Sequence, residues 1–324
     1  MKHPCQNISK ASIFHEYWWL EAVTTGHFSE VEVRQGDYPA GRLPFVVTRR
    51  KGLRCLGMPD FTHLLGPIVD SGDGKMQTRM TNRLSTVGAL ISQLPPFDFF
   101  KQVIDPTLDD GLALIDGLAF QRHGFQVGHQ YSFQIDCRAE LDTLLARMHF
   151  KVRQHIRRAE EQRTVVTIDD PQRFVIFYME NLRKTNRKSY MQFDRFPILF
   201  SECRARNCGE ISAAMQPDGI PVAMTFLVWD DQTMYYLMCT RDTAVRDNGS
   251  VNLLVWSAMK RAHELRLIFD LDGVSSGGTA RFLSGFGGAI KTRLIISKGQ
   301  PVYNVVQSVK TILRGGRSVQ STFD

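Results

Sequence analysis

Two halves of this 324-residue chain repeat the same order of predicted helices and strands. In each half, helical sequence precedes three short apolar runs separated by turn residues, and a helix, a strand, a helix and a strand follow. Such a repeat indicates a duplicated α/β domain, although the residues of the two copies differ. The predicted strands are 28–34, 43–48, 53–56, 97–104 and 125–136 in the first half, and 210–215, 222–229, 233–240, 267–272 and 291–297 in the second.

A predicted helix connects the third strand of each half to the next strand, and such a crossover favours parallel pairing of the two strands that it joins. We therefore expect mixed sheets flanked by helices, in domains at 1–138 and 139–300, with a C-terminal helix and tail at 301–324. The predicted helices are 12–25, 75–93, 109–123, 140–161, 171–185, 196–206, 250–265 and 279–284.

A pair of carboxylates marks the end of one predicted strand in the second half. An apolar run at 267–269 leads into Asp270 and Asp272, and the glycine-containing loop 275–278 follows. Acids at the carboxyl end of a buried strand, followed by such a loop, often mark a site in an α/β sheet, although the pattern also fits a solvated pair that caps a turn. The matching strand of the first half has one acid, Asp98, and no glycine loop, so we expect the site in the second half.

Composition and charge narrow the class of protein. The six cysteines are scattered and the nine histidines form no HxxxH or HExxH pattern, so neither a disulfide scaffold nor a metal site is expected. The chain has no apolar run of about 18 residues and no secretory signal, which predicts a cytoplasmic protein without a transmembrane segment. The net charge of +7 fits an anionic ligand, such as a nucleotide or RNA, but does not require one.

Two further features place polar side chains beside predicted apolar surfaces. In the predicted helix 140–161, Arg153 and Arg157 lie one turn apart along the apolar face, a spacing suited to a phosphate or a carboxylate. A solvated helix face paired with nearby glutamates is the alternative. Tyr235 and Tyr236 are adjacent in a predicted strand, so we expect one in the core and the other at a cleft.

Motifs in both halves follow one another in an order that resembles a known group. They are AGRLP at 40–44, MP at 58–59, LGP at 65–67, KVR at 151–153, IRRAE at 156–160, the segment 178–186 with a lysine at 188, PVA at 221–223, FDLDG at 269–273, RF at 281–282 and GFG at 285–287. Together they resemble the FemAB-like branch of the GNAT acyltransferases over nearly the whole chain. That branch has two tandem GNAT-like (acyl-CoA N-acyltransferase) domains of α/β fold. Leu283 stands where the family usually has lysine.

The resemblance implies acyl transfer. Relatives in this branch include peptidyltransferases that move amino acids from aminoacyl-tRNA to peptidoglycan precursors, and predicted acetyltransferases of polysaccharide biosynthesis. We expect acyl-CoA as the donor and, as the acceptor, an amine or hydroxyl of a small-molecule or carrier-linked precursor of the cell envelope or of a polysaccharide. Charged tRNA as the donor is the first alternative, and a non-catalytic binding protein of the same fold is the second.

Acyl transfer requires deprotonation of the acceptor, a donor of hydrogen bonds to the oxyanion, and a cationic or N–H-rich cradle for the donor's phosphates. The candidate residues are Asp270 and Asp272 as catalytic carboxylates that orient or deprotonate the acceptor, Arg153, Arg157 and Tyr236 as acceptor contacts, and Arg246, Asn248, Gly249 and Ser250 as donor contacts at a helix N-terminus. Asn248 or Ser250 would also serve simply as an N-cap, and the usual glycine-rich pyrophosphate motif is absent.

Overall fold

The computed structural model describes residues 11–189, 191–246, 249–274 and 276–299. The α-helices are α1 (Tyr17–Thr24), α2 (Met76–Ser92), α3 (Asp116–Arg122), α4 (Leu141–Arg147), α5 (Phe150–Glu160), α6 (Pro171–Lys184), α7 (Phe196–Ala205), α8 (Ser250–Glu264) and α9 (Gly277–Ser284). The strands are β1 (Ser29–Gln35), β2 (Tyr38–Arg50), β3 (Leu53–Gly57), β4 (Ile68–Val69), β5 (Phe99–Ile104), β6 (Gln126–Asp136), β7 (Thr164–Ile168), β8 (Gly209–Met215), β9 (Pro221–Trp229), β10 (Thr233–Arg241), β11 (Ile268–Gly273) and β12 (Ala289–Gly299).

The chain divides into two compact units that are discontinuous in sequence. Among the described residues, unit 1 contains residue 11, 27–129 and 294–299, and unit 2 contains 12–26 and 130–293. The segment 12–26, which contains α1, therefore belongs to unit 2, whereas the contiguous ranges expected from the sequence assign it to the first half. Along the chain, β6 and β12 each run from one unit into the other.

Unit 1 contains a mixed sheet in the strand order β1-β2-β3-β5-β12. The pairs β1/β2, β2/β3 and β5/β12 are antiparallel, and β3/β5 is parallel, which confirms the expected crossover through α2. The turn between β2 and β3 is tight because Lys51 and Gly52 both have positive φ, the backbone that two-residue hairpins require. The core contains mainly aliphatic and phenylalanine side chains, among them Leu43, Leu90, Phe100, Phe120 and Ile296.

In unit 2 the strands follow the order β6-β11-β10-β9-β8-β7. The pairs β7/β8, β8/β9, β9/β10 and β6/β11 are antiparallel, and β10/β11 is parallel, as the crossover through α8 predicted. One buried cluster includes side chains of α4, α5, α8 and β11, such as Leu144, Ile156, Met259 and Phe269. A group of packed aromatic rings includes Phe174 of α6, Phe196 of α7 and Phe226 of β9.

The single helix predicted at 140–161 was wrong, because the structure has two helices there. Met148 and His149 are extended, with ψ of 146° and 141°, so α4 ends at Arg147 and α5 begins at Phe150. The break lets the His149 N–H donate to the Gly285 carbonyl at 2.8 Å, and the His149 ring accepts from the Lys151 N–H as an N-cap. The backbone of the loop that follows α9 therefore occupies the gap between the two helices.

Two strands were not predicted from the sequence. The edge strand β7 pairs along its whole length with β8, and the two-residue β4 pairs with β2. The predicted C-terminal helix after residue 301 lies outside the described residues. Across the described ranges, no helix has both the length and the apolarity needed to cross a membrane.

Candidate active site

The parallel strands β10 and β11 pair over only three residues. Their register runs from Thr233 and Ile268 to Tyr235 and Asp270. Beyond that point β10 continues to Arg241 alongside β9, with an irregularity in the pairing just after Tyr236. The ladder between β10 and β11 therefore ends at Asp270, and residues 236–241 of β10 extend past it. The carboxylate pair found in the sequence lies at this divergence.

Asp270 is the centre of a buried hydrogen-bond network. Its side chain is 1% exposed and accepts from Ser132 Oγ at 2.6 Å and from Gln134 Nε2 at 2.8 Å, both on β6. The backbone N–H of Asp272 donates to the same carboxylate at 2.8 Å. Buried carboxylates persist only when such donors compensate for lost hydration. Asp270 thus fixes the end of β11 to β6.

Arg293 links the two aspartates. Its guanidinium is 2% exposed, with Nη2 at 2.9 Å from Asp270 Oδ1 and Nη1 at 2.8 Å from Asp272 Oδ1. Two carboxylates thus share one guanidinium, so the cluster of these three side chains has a formal charge of −1. Removing one partner of an ion pair this deeply buried strongly destabilises the folded protein, because the charge of the remaining partner is left buried and uncompensated.

Asp272 has an unusual backbone for a strand residue. Its φ is +68°, and the register between β11 and β6 is interrupted between Asp270 and Gly273. Left-handed backbone is uncommon outside glycine, although aspartate tolerates it better than most residues. Both aspartates lie in β11, as the predicted strand 267–272 requires, but a bulge interrupts the pairing of that strand with β6 at Asp272. The bulge leaves the Asp272 side chain 33% exposed beside the buried Asp270 and Arg293.

The residues that follow Asp272 hold the end of β11 in place. The Val274 N–H donates to the Tyr131 carbonyl at 2.7 Å, and a Cβ on Gly273 would collide with the Gln130 amide. The next helix, α9, is capped by Ser276, whose Oγ accepts from the Thr279 N–H at 3.1 Å. Ser275 lies outside the described residues. Val274 is thus hydrogen-bonded to β6, and Ser276 is hydrogen-bonded to the first turn of α9.

The structure places the predicted acceptor contacts in three different environments. Arg153 Nη1 donates to the carbonyls of Leu145, Ala146 and Met148 at 3.2, 3.3 and 3.0 Å, so this side chain caps the C-terminal end of α4. Arg157 is exposed on α5. The Tyr236 hydroxyl is buried beside Cys239 and Thr225, and burial raises its pKa well above the ordinary range.

The predicted donor contacts lie just before α8. Arg246 is exposed, Gly249 and Ser250 are buried, and Asn248 lies outside the described residues. Gly249 has a φ of +146°, and a Cβ there would collide with the His155 carbonyl of α5. Glycine at this position is therefore required for the close approach of α8 to α5. Phosphate binding by this helix N-terminus stays a prediction.

Sequence reasoning found the aspartates but missed their three side-chain partners. Ser132 and Gln134 lie two residues apart on the same face of β6, and only the pairing register of β6 with β11 brings them to Asp270. Arg293 stands in β12 between Lys291 and the apolar run 294–296, so the sequence alone does not set it apart as a buried cation.

The fold and the site together define a class of protein. Residues 146–280 match the family model described as an acetyltransferase (GNAT) domain, the segment that contains β10, β11 and both aspartates. The chain as a whole has the fold of tandem GNAT proteins, which confirms the fold expected from the resemblance.

Solved structures of other proteins share this fold over most of the chain. A FemX crystal structure superposes with a TM-score of 0.67 at 12% identity, covering 94% of this chain and 96% of that chain. The C-terminal domain of a putative lysylphosphatidylglycerol synthetase from Agrobacterium fabrum gives 0.58 at 14%, covering 92% of each chain. A tandem GNAT protein from the clavulanic acid biosynthesis pathway gives 0.50 at 11%, covering 84% and 82%. Comparison with curated proteins gave no match.

Proposed function

We propose that this chain transfers an acyl group from acyl-CoA to an amine or hydroxyl of a cell-envelope or polysaccharide precursor, and that unit 2 is the catalytic unit. The observation that carries the proposal is the early divergence of β10 from β11, with Asp272 presented at the point of divergence. The GNAT match over residues 146–280 supports it, since that segment contains both strands. A cytoplasmic location, where acyl-CoA is available, is part of the proposal.

The diverging strands suit a donor with an amide-containing arm. The pantetheine arm of CoA has two amide groups, and a strand that extends beyond its neighbour offers backbone N–H and C=O groups to such a ligand. Residues 236–241 of β10 occupy that position. A thioester held along them would have its carbonyl near the end of β11, where the carboxylates lie. The similar tandem GNAT protein from the clavulanic acid pathway is described as being without AcCoA in its structure, which associates that protein with an acyl-CoA and supports this choice of donor.

Asp272 is the residue that acts on the acceptor in this proposal. It accepts a hydrogen bond from the acceptor N–H or O–H and takes up the proton as the new bond to the acyl carbon forms and the C–S bond of the thioester breaks. Arg293 and Asp270 hold the Asp272 carboxylate in position and do not exchange protons. Arg157, exposed on α5, contributes an acceptor contact, whereas Arg153 is assigned to the capping of α4.

Aminoacyl transfer from charged tRNA is the alternative. The similarity of nearly the whole chain to FemX and to the C-terminal domain of a putative lysylphosphatidylglycerol synthetase favours this alternative. The name of the synthetase describes a lysyl group attached to a lipid, which is an aminoacyl product. The net charge of +7 is compatible with RNA, and such binding weakens steeply with salt.

Thermal unfolding in the presence of candidate donors separates these proposals. The pure protein is heated with a panel of acyl-CoAs, with free CoA, and with charged and uncharged tRNA. A donor at about 100 times its Kd stabilises the folded state by about 2.7 kcal/mol. We expect stabilisation by at least one acyl-CoA. Stabilisation by charged tRNA alone would replace the first proposal with the alternative, and no stabilisation by any donor would favour a non-catalytic protein.

A further inference from the structure

The C-terminal end of α7 carries two cysteines that play no part in the proposed reaction. Cys203 lies in the last turn of the helix, and Cys208 lies just past its end, directly before β8. The Cys208 N–H donates to the Cys203 carbonyl at 3.0 Å, and the Asn207 N–H donates to the Arg204 carbonyl at 3.1 Å. Asn207 has a φ of +51°. These two bonds and the left-handed residue between them define a Schellman motif.

This motif places the two cysteine side chains together. In a Schellman ending, the side chain three positions from the helix C-terminus contacts that of the second residue past the cap, and here these residues are Cys203 and Cys208. The pKa of each thiol is shifted most strongly by the other thiol, as expected of neighbouring side chains. Gly209 completes the arrangement, because a Cβ there would lie 2.7 Å from the Cys203 Cβ and displace it.

The environment gives the two sulfurs different properties. Cys203 is fully buried, and Cys208 is half-buried and therefore within reach of a small oxidant. The hydrogen bond from the Cys203 thiol lowers the pKa of Cys208, and nearby Arg206 acts in the same direction. The same bond and burial raise the pKa of Cys203. A partly exposed thiolate next to a resolving thiol is the arrangement in which oxidation goes on to a disulfide.

We propose that Cys203 and Cys208 are an oxidative modification site, at which a hydroperoxide converts the two thiols into a reversible disulfide across the end of α7. The Cys208 thiolate attacks one oxygen of the hydroperoxide, so that an S–O bond forms and the O–O bond breaks. Cys208 becomes a sulfenic acid, and the other oxygen leaves as an alcohol, or as water when the oxidant is hydrogen peroxide. The Cys203 sulfur then attacks the Cys208 sulfur, the S–O bond breaks and water leaves. Two thiols and one hydroperoxide thus give one disulfide, one alcohol and one water.

Peptide mapping of the full-length protein tests the proposal without any assay of acyl transfer. The protein is treated with hydrogen peroxide, its remaining thiols are alkylated, and it is digested with trypsin without reductant. Cleavage after Arg204 and Arg206 separates the two cysteines into peptides 196–204 and 207–241. We expect these peptides to be joined after treatment and to separate when a reductant is added.

Peptide 207–241 also contains Cys239, so variants assign the bond. Burial raises the pKa of the Cys239 thiol to about 11, which makes it a poor competitor. The joined peptides should persist in Cys239→Ser and disappear in Cys208→Ser. A bond that survives Cys208→Ser, or Cys208 oxidised to sulfinic acid while Cys203 is recovered as an alkylated thiol, would overturn the proposal. The oxidation of Cys208 to sulfinic acid with Cys203 still alkylated is measured on the wild-type protein alone, so this outcome does not depend on whether Cys208→Ser folds.

Discussion

Arg293 Nη1 donates a hydrogen bond to Asp272 Oδ1 at 2.8 Å, and this bond joins β12 to the bulged end of β11. This contact fixes the position of the Asp272 carboxylate, which is one-third exposed, at the divergence of β10 and β11. A guanidinium that is itself paired with the buried Asp270 cannot readily move away. The proposed acceptor-binding carboxylate is thus supported by an ion pair that water hardly reaches.

Replacing Asp272 by Asn should abolish transfer while the protein stays folded. Asparagine tolerates positive φ and keeps the side-chain shape, but it cannot accept a proton, so kcat should fall roughly 100- to 10,000-fold. Steady-state kinetics with the donor found by thermal unfolding measures this change. Asp231→Asn, an exposed aspartate in the β9–β10 turn, is the matched control and should retain activity. Unchanged turnover in Asp272→Asn would reduce Asp272 to a turn residue.

Replacing Arg293 by Met should destabilise unit 2 strongly. The change leaves Asp270 buried without its cation, and breaking a buried ion pair in this way costs about 3–5 kcal/mol. Urea unfolding measures the free energy of unfolding. Arg281→Met on the exposed side of α9 is the control and should change it by about 0.5 kcal/mol or less. Equal effects of the two substitutions would show that the buried pairing contributes nothing.

Arg153 and Arg157 should separate into a structural and a functional residue. Arg153→Gln removes the charged donor to two carbonyls of α4 and to that of Met148 just after it, and hydrogen bonds to charged groups contribute about 1.5–3 kcal/mol. Arg157→Gln should leave the free energy of unfolding within about 0.5 kcal/mol of wild type while raising KM for the acceptor. The reverse pattern would restore Arg153 as the acceptor contact.

Gly249→Ala should cost more stability than Gly26→Ala. Both glycines have positive φ. Alanine at the φ of +78° of Gly26 costs about 1–2 kcal/mol, and the backbone of Gly249, at φ +146° and ψ 1°, is one that alanine adopts even less readily. At Gly26 no atom lies within 4 Å of the new Cβ, whereas at Gly249 it meets the His155 carbonyl. Overpacking of this kind adds about 1–3 kcal/mol. Urea unfolding of the two variants measures the difference, and equal losses would mean that α8 can shift away from α5 at no cost.

The crossovers and the aspartate pair could be predicted because they depend on local pattern. A helix between two strands predicted the parallel pairs β3/β5 and β10/β11, and the run before Asp270 predicted a buried strand with acids at its end. The break at Met148 could not be predicted, since the apolar spacing continues through it and no glycine or proline interrupts it. It depends on the docking of the Gly285 backbone, a contact between distant segments.

The partners of the aspartates were missed for the same physical reason. Ser132 and Gln134 reach Asp270 only through the register of β6 with β11, and Arg293 arrives from β12. Arg153 shows the opposite error, because its helical spacing suggested contact with a ligand, whereas the C-terminal end of α4 and the turn after it supply its carbonyl partners. Periodicity indicates which face a side chain is on, but its partners are set by tertiary packing.

Amide hydrogen exchange along β10 tests the central proposal most directly. The full-length protein is labelled with and without saturating acetyl-CoA, or whichever acyl-CoA stabilises it most, and exchange is followed in peptides covering residues 233–241. Binding of the donor along the extended part of β10 predicts slower exchange at 236–241 and little change at 233–235, which already pair with β11. Saturation with donor that leaves exchange at 236–241 unchanged would contradict the assignment of the donor site.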